Sequence, residues 1–223
     1  MRLIDILLSG FALLLFAPFG LAIAVIQKFS GEGDIFYKQM RWGKDLKPFG
    51  LIKYATMLRN SPSLGTGLIT VRKDPRVFTF GRFLRITKLN EVPQLLNILK
   101  GDMGIVGPRP MVPSDIDFLP IAVQRKVYSV RPGLTGLGSI VFRDEEKILS
   151  NTKKPLRQCY CEDIAPIKAD LEMWYVDHRS IWLDLAIIFL TAWVIVFPES
   201  TLYQKLLGTD WAKFDKQIAA LLK

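Results

Sequence analysis

Histidine is almost absent from this 223-residue chain: His178 stands alone. That excludes imidazole relays and two-histidine metal sites, so any acid–base or metal work falls to carboxylates. Cysteine is nearly as scarce. Cys159 and Cys161 are one residue apart, a poor geometry for a disulfide and too few thiols for a zinc site. They read as reduced structural residues of a cytoplasmic compartment. No G-x-G-x-x-G or G-x-x-x-x-G-K-[ST] loop occurs, so neither common nucleotide fingerprint is present. Internal repeats and low-complexity tracts are also missing.

What is present is apolar surface and unevenly placed charge. Apolar residues make up 50% of the chain, enough for one good core. The chain carries 30 Lys and Arg against 21 Asp and Glu, a formal charge of +9. Residues 28–100 hold 14 basic and 5 acidic side chains, while the segments on either side are neutral. The whole excess therefore lies in one block, directly after an apolar run. That position favours anionic lipid and phosphate over nucleic acid as partner.

The apolar run, Ile6 to Ile26, is 21 residues without a charge, about 30 Å as a helix. Three readings compete: a spanning anchor, a cleaved signal peptide, and a re-entrant helix. Ala22-Ile23-Ala24 resembles a cleavage site only faintly, and Asp5 spoils the basic head. Pro18, followed by Gly20, breaks helical hydrogen bonding and permits a turn back to the starting face. A second run, Leu185–Phe197, has 13 residues, too short to span. It reads as a core or interfacial helix, with Trp182 and Trp193 suited to headgroup level. From Thr201 onward apolar and charged residues alternate at helical spacing, for the interface or for packing on the domain. Residues 31–54 read as short strands or a hairpin, Arg59–Gly67 as a loop, and residues 162–185 as amphipathic helix. The fold class expected is α+β and predominantly α-helical, with small β elements and no doubly wound sheet. Its division is a membrane helix at 1–28, a globule at 29–200 and an amphipathic tail at 201–223.

Lys88 to Pro110, KLNEVPQLLNILKGDMGIVGPRP, concentrates the chemistry. Pro93 is tolerated in a first helical turn, which places the helix start near Asn90. Asn90 then caps it, Glu91 favours its dipole, and Gly101 stops it. That structural account is complete by itself. A functional account stands beside it. Glu91 next to a helix N-terminus binds a divalent cation that bridges phosphates. Arg109, fixed between two prolines, grips phosphate bidentately, and Arg85 and Arg131 add charge if the fold gathers them. Lys53 and Arg41 are site residues or solvated charges. Asp102 either orients Arg109 or closes the turn after the helix. Arg143–Lys147 reads as an exposed charged loop, and Asp170 and Tyr175 as helix packing.

LNEVPQLLNILKGDMGIVGPRP resembles the signature of the bacterial sugar transferases, the monotopic polyprenol-phosphate phosphoglycosyl transferases. The resemblance extends over nearly the whole chain. The N-terminal run resembles their re-entrant helix, broken at a proline as at Pro18. FYKQMRWGKDLKPFGLIKY resembles their basic motif, with Arg41, Gly43 and Lys53 in register. RPGLTGLGSI, Arg131–Ile140, resembles a loop associated with nucleotide-sugar binding. The resemblance implies a globule with interfacial amphipathic helices on the cytoplasmic face of the bacterial inner membrane. It implies transfer of a phosphosugar from a UDP-sugar to undecaprenyl phosphate, releasing UMP and requiring Mg²⁺. Membrane lipids are partners, nucleic acid is not, and homodimerisation stays open. By the same resemblance Glu91 holds the metal, and Lys53, Arg85, Arg109 and Arg131 bind substrate. The family's usual nucleophile is an Asp before the Glu; here position 90 is Asn. An amide is a very poor nucleophile. Three situations account for it: a blocked variant, an enzyme working through Glu91 or by direct attack of the acceptor phosphate, and a silent membrane-bound binder of UDP-sugar or glycosyltransferases. Gly104 in place of a Ser is a smaller departure.

Overall fold

The computed structural model describes residues 1–223 except 68, 72, 198, 208–213, 215 and 218–223. Helix α1 (Arg2–Lys28) leads into a hairpin of β1 (Phe36–Trp42) and β2 (Pro48–Tyr54). After a loop come α2 (Thr79–Ile86), a 3-10 turn at Leu89–Glu91 and α3 (Gln94–Lys100). Strand β3 (Gly104–Val106) pairs in parallel with β4 (Gly133–Thr135), and α4 (Pro113–Ile116) and α5 (Ile121–Val127) lie between them in sequence. Helices α6 (Leu137–Val141), α7 (Glu145–Asn151), α8 (Leu156–Cys159), α9 (Ala165–His178), α10 (Ile181–Val196) and α11 (Leu202–Leu206) complete the described chain. The expected mostly helical α+β architecture is what is seen. Much of the C-terminal tail lies outside the described residues.

Helix α1 is long and apolar enough to cross a membrane, and it runs without interruption through Pro18. The expected break at that proline is therefore absent. The reason is visible on the inner face. Arg2 donates to the Ile98 and Leu99 carbonyls at the end of α3. Asp5 accepts from the Ile105 N–H at 3.2 Å. Ala12 and Leu13 pack on the cluster of Phe49, Leu51, Leu95 and Ile98. Past the proline, Ile23 packs on Tyr54 and Leu84, and Gln27 donates to the Ala55 carbonyl at 2.5 Å. At about 100° per residue these positions all fall within one narrow sector of the helix, a single stripe. Both halves are thus held to the same globule, which keeps Pro18 within one helix. The opposite face, including Leu7, Phe11, Leu14 and Leu21, is exposed.

The hairpin register sets Lys53 opposite Tyr37 and Arg41 opposite Phe49. Asn97 on α3 pins the hairpin in place. Its side chain accepts from the Ile52 N–H at 3.0 Å and donates to the Gly50 carbonyl at 2.8 Å. The second core lies between α6, α9 and α10, around Leu137, Ile140, Leu171, Tyr175, Ile187 and Leu190. Tyr175 donates to the buried Asp184 carboxylate at 2.6 Å, the packing role expected for it. Helix α10 is half-buried: Ile187 and Leu190 face inward, and Trp182, Leu185 and Phe189 are exposed.

The loop between Arg59 and Val77 has little apolar content, and one guanidinium organises it. Arg76 is 6% exposed. It donates to the carbonyls of Ser61, Leu64 and Ile69 at 2.8–2.9 Å, and to that of Gly67. It also forms a two-point pair with Asp74 at 2.9 and 2.6 Å. Arg76→Met leaves Asp74 charged, buried and unpaired, so it is expected to cost about 3–5 kcal/mol of stability. Thermal or denaturant unfolding in detergent measures this; a loss below about 1 kcal/mol would mean that the loop is held by something else.

Candidate active site

Chain reversal after α2 sets the geometry. Lys88 adopts a left-handed conformation, φ 59°, and throws the next residues into the 3-10 turn. Asn90 is therefore inside that turn, and α3 begins later, behind Pro93. The expected role of Asn90 as the helix cap is corrected: its side chain makes no capping bond. It is instead buried, 7% exposed, and its Oδ1 has no partner among the described residues. A buried acceptor left unmade costs about 1–3 kcal/mol and calls for an explanation. Gly101 does end α3, at φ 98°, as expected. Asp102 closes that turn, accepting from Asn97 at 3.2 Å and lying 3.5 Å from Lys100.

Glu91, next in the turn, pairs with Lys53 of β2 at 3.0 Å. Both side chains are about one-fifth exposed, 19% for Lys53 and 21% for Glu91. Arg109, in the Pro108–Pro110 loop after β3, stands open to solvent, and its charge acts on both. Burial pushes the Glu91 carboxyl upward, but Lys53 and Arg109 outweigh it and hold it at about 2. Burial, helped by Arg109 and Arg41 and opposed by Glu91, draws Lys53 down to about 8. Loss of hydration against the cleft wall disfavours the Arg109 charge even though the side chain reaches solvent, but Glu91 and Glu145 outweigh it and raise its pKa. Lys53 is thus short of counter-charge, a state suited to an arriving polyanion.

Two loops meet to make the cleft. Gly107 and Gly133 cross so closely that a Cβ on Gly133 would lie 2.1 Å from the Gly107 nitrogen. This crossing sets the Arg109 loop against the segment that begins at Arg131. Arg41 stabilises the same loop, donating to the Pro110 carbonyl at 2.9 Å and to Gln39 at 3.1 and 2.6 Å. Burial and Arg109 lower it to about 10.

Not every expected residue gathers here. Arg85 pairs with Glu146 at 2.9 Å. Arg131 is exposed and donates to the Gly101 carbonyl at 3.1 Å. Neither contacts the Lys53–Glu91 pair among the described contacts. The Arg143–Lys147 segment is not a loop: Glu145 begins α7, and its carboxylate binds Lys168. Sequence reasoning missed Lys168 and Glu172 on α9. The available signal was a pair of charges, four residues apart, sharing a helix face with the small Ala165 and Ala169.

Among the described residues no three His, Cys, Asp or Glu side chains gather to hold a metal. One carboxylate, Glu91, beside one unpartnered amide oxygen, Asn90 Oδ1, remains. That donor set fits Mg²⁺ shared with substrate phosphates, the usual manner for that ion.

The model of the family described as bacterial sugar transferase matches residues 1–198. The chain belongs to that family. Over 195 residues it is 35% identical to a UDP-glucose:undecaprenyl-phosphate glucose-1-phosphate transferase of Klebsiella pneumoniae, covering 85% of this chain and 38% of the relative. It is also 35% identical, over 204 residues, to the exopolysaccharide production protein ExoY of Rhizobium meliloti (strain 1021), covering 85% and 82%. A UDP-N-acetylgalactosamine-undecaprenyl-phosphate N-acetylgalactosaminephosphotransferase of Aeromonas hydrophila is 32% identical over 196 residues, covering 85% and 42%. The chain thus spans less than half of the two named transferases and most of the exopolysaccharide production protein.

Glu91 binds its proton less tightly folded than unfolded. Its contribution to stability is therefore complete above its ordinary value of 4.5 and is lost as pH falls toward about 2. Lys53→Met removes the main opposing cation, so the Glu91 pKa is expected to rise by about one unit or more. Carboxyl NMR titration of the variant measures it; an unmoved midpoint would mean that Lys53 does not hold Glu91 ionised.

Proposed function

We propose that the chain transfers the phosphosugar group of a UDP-sugar to undecaprenyl phosphate, on the cytoplasmic face of the bacterial inner membrane, as the first membrane step of a surface glycan. The observation that carries this is the Lys53–Glu91 pair under Arg109, beside the buried, unpartnered Asn90 amide oxygen. The printed names of the Klebsiella and Aeromonas relatives support the substrate class, and differ in the sugar.

Asn90 directs the route. Glu91 is engaged with Lys53 and is a weak base, so neither residue of the pair is a ready nucleophile. The acceptor phosphate oxygen attacks the β-phosphorus of the nucleotide sugar directly. A P–O bond forms to the acceptor, the bond from β-phosphorus to the bridging oxygen breaks, and UMP departs with the electron pair. No proton transfer is needed, because both attacking and leaving phosphates are anions. Arg109 and Lys53 bind the phosphoryl oxygens and stabilise their charge. Glu91 and Asn90 Oδ1 would hold Mg²⁺, which supplies further charge neutralisation when bound. Positioning two phosphates in line is then the main task of the protein.

The outer face of α1 lies in the bilayer, and both its ends remain on the cytoplasmic side. Support comes from Arg2 and Gln27, near opposite ends of α1, which bond to the same globule. Single cysteines placed at Met1 and Lys28, with Cys159 and Cys161 replaced by Ser, are expected to label from the same side. Labelling from opposite sides would establish a spanning helix.

UMP release decides the chemistry. The protein is supplied with Mg²⁺ and UDP-glucose or UDP-N-acetylgalactosamine, with and without undecaprenyl phosphate. Release is expected only with the acceptor present. Asn90→Asp is expected to add a stoichiometric burst without acceptor, from a phosphosugar-enzyme. A burst from the unaltered chain would point to Glu91 as nucleophile. No release under any condition, with UDP-sugar still bound, would mark a silent binder.

A further inference from the structure

The cleft has two walls, and they are held differently. On the Arg109 side lies a cavity of about 50 Å³ lined in part by Arg41, Arg109, Asp115, Tyr160, Lys168 and Glu172. Tyr160 enters it from a π-helical turn, Tyr160–Ile164, between α8 and α9. Both signs of charge line this cavity, so it favours no single ligand. On the other side, β2 carries Lys53 and α3 follows Glu91. Leu51 packs there with Leu95 and Ile98, but apolar packing has no direction of its own. The directed link between strand and helix is one amide, Asn97, which is 1% exposed.

Strand parity explains what that amide does. Trp42, opposite Pro48, sends its N–H away from β2, to the Met111 carbonyl at 3.1 Å. Successive pairs of an antiparallel ladder alternate between facing inward and facing outward. Gly50, opposite Met40, and Ile52, opposite Lys38, share the parity of Trp42 and Pro48. Their backbone groups therefore point to the free edge of β2. Asn97 takes both: Oδ1 accepts from the Ile52 N–H at 3.0 Å, and Nδ2 donates to the Gly50 carbonyl at 2.8 Å. Nδ2 also donates to Asp102 at 3.2 Å. A planar amide presents donor and acceptor side by side, which a carboxylate cannot do. Lys53 has the opposite parity and pairs inward with Tyr37. Its backbone is thus held from β1, while the residues just before it are held from α3.

We propose that Asn97 is a positioning residue of the phosphoryl-transfer site: its amide sets the separation of Lys53 from Glu91, and with it the place where the Lys53 ammonium meets a phosphoryl oxygen. The ligand in this statement rests on the UDP-sugar reading above; the geometry rests on the hydrogen bonds. Lys53 reaches Glu91 at 3.0 Å on a flexible four-carbon stem. The pair is therefore only as well defined as the backbone beneath it, and small misplacements at such sites carry large losses of rate.

Two substitutions test this in the full chain in detergent. Asn97→Leu keeps the volume and removes the bonds to Ile52, Gly50 and Asp102. Asn97→Gln keeps donor and acceptor and moves them by one methylene, so it supplies a folded variant if Asn97→Leu unfolds. Carboxyl NMR titration needs no substrate, and the Glu91 midpoint is expected to rise in both, as in Lys53→Met. UMP release with acceptor is expected to fall roughly 10–100-fold in kcat/KM for Asn97→Leu. In a Lys53→Met background the same substitution is expected to cost less than about twofold more, because residues acting through one group do not add. An unmoved Glu91 midpoint in a folded variant, or losses that multiply in the double variant, would overturn the proposal and leave the transferase reading in place. Failure of both variants to fold would also overturn it, making Asn97 a residue of the fold alone. A raised midpoint, with no UMP released by the unaltered protein, would uphold the positioning of Lys53 and remove the UDP-sugar reading.

Discussion

Three polar side chains decide which side of α1 faces the protein. A helix that is apolar all round has no inward face of its own. Arg2, Asp5 and Gln27 supply one, each bonded to backbone in a different part of the globule. They fix the rotation of the helix and its position along the domain. The hairpin, α3 and β3 all rest on that contact, and these elements carry Lys53, the end of the helix behind Glu91, and the start of the Arg109 loop. The membrane element and the site are therefore one mechanical unit. Such an arrangement suits a reaction between one dissolved and one lipid-borne substrate, because depth and orientation are set together.

Within the site, charge is distributed by context more than by residue type. The basic block of residues 28–100 does not converge on one point. Arg76 is spent on a loop, Arg85 on Glu146, and Arg41 on the Pro110 carbonyl. What remains at the cleft is Lys53 and Arg109 around one low-pKa carboxylate. A buried ion pair of this kind is not a strong source of stability, since desolvation offsets much of its attraction. Its value lies in a held arrangement of charge, and the unpartnered oxygen of Asn90 is consistent with a site organised for a ligand.

The sequence was informative where the determinants are local. Aromatics mixed with Gly turns over residues 31–54 marked short strands or a hairpin, and Gly101 marked the end of α3. Leu185–Phe197 was legible as an apolar segment too short to span. It misled where a nearby residue changed the rules. Lys88 in a left-handed conformation moved Asn90 off the helix start, and side chains far along the chain held α1 through Pro18. Arg85 found its partner 61 positions away, beyond any periodicity. Glu172 was hidden for the opposite reason: it occupies an ordinary helical position, and only the packing of Gly138 and the Arg109 loop around it makes it unusual. The resemblance to the sugar transferases correctly indicated the family, but not which of the arginines stand together.

The π turn before α9 carries a consequence of its own. One surplus residue rotates everything before it by about 100° relative to the helix that follows. Tyr160 faces the cavity because of that surplus, while Lys168 and Glu172 belong to the regular helix beyond it. The two sides of the pocket thus have independent phase. A single-residue deletion in this turn would restore an unbroken helix and still turn the aromatic wall away. The aromatic wall of the cavity is thereby uncoupled in phase from the helix that carries Lys168 and Glu172.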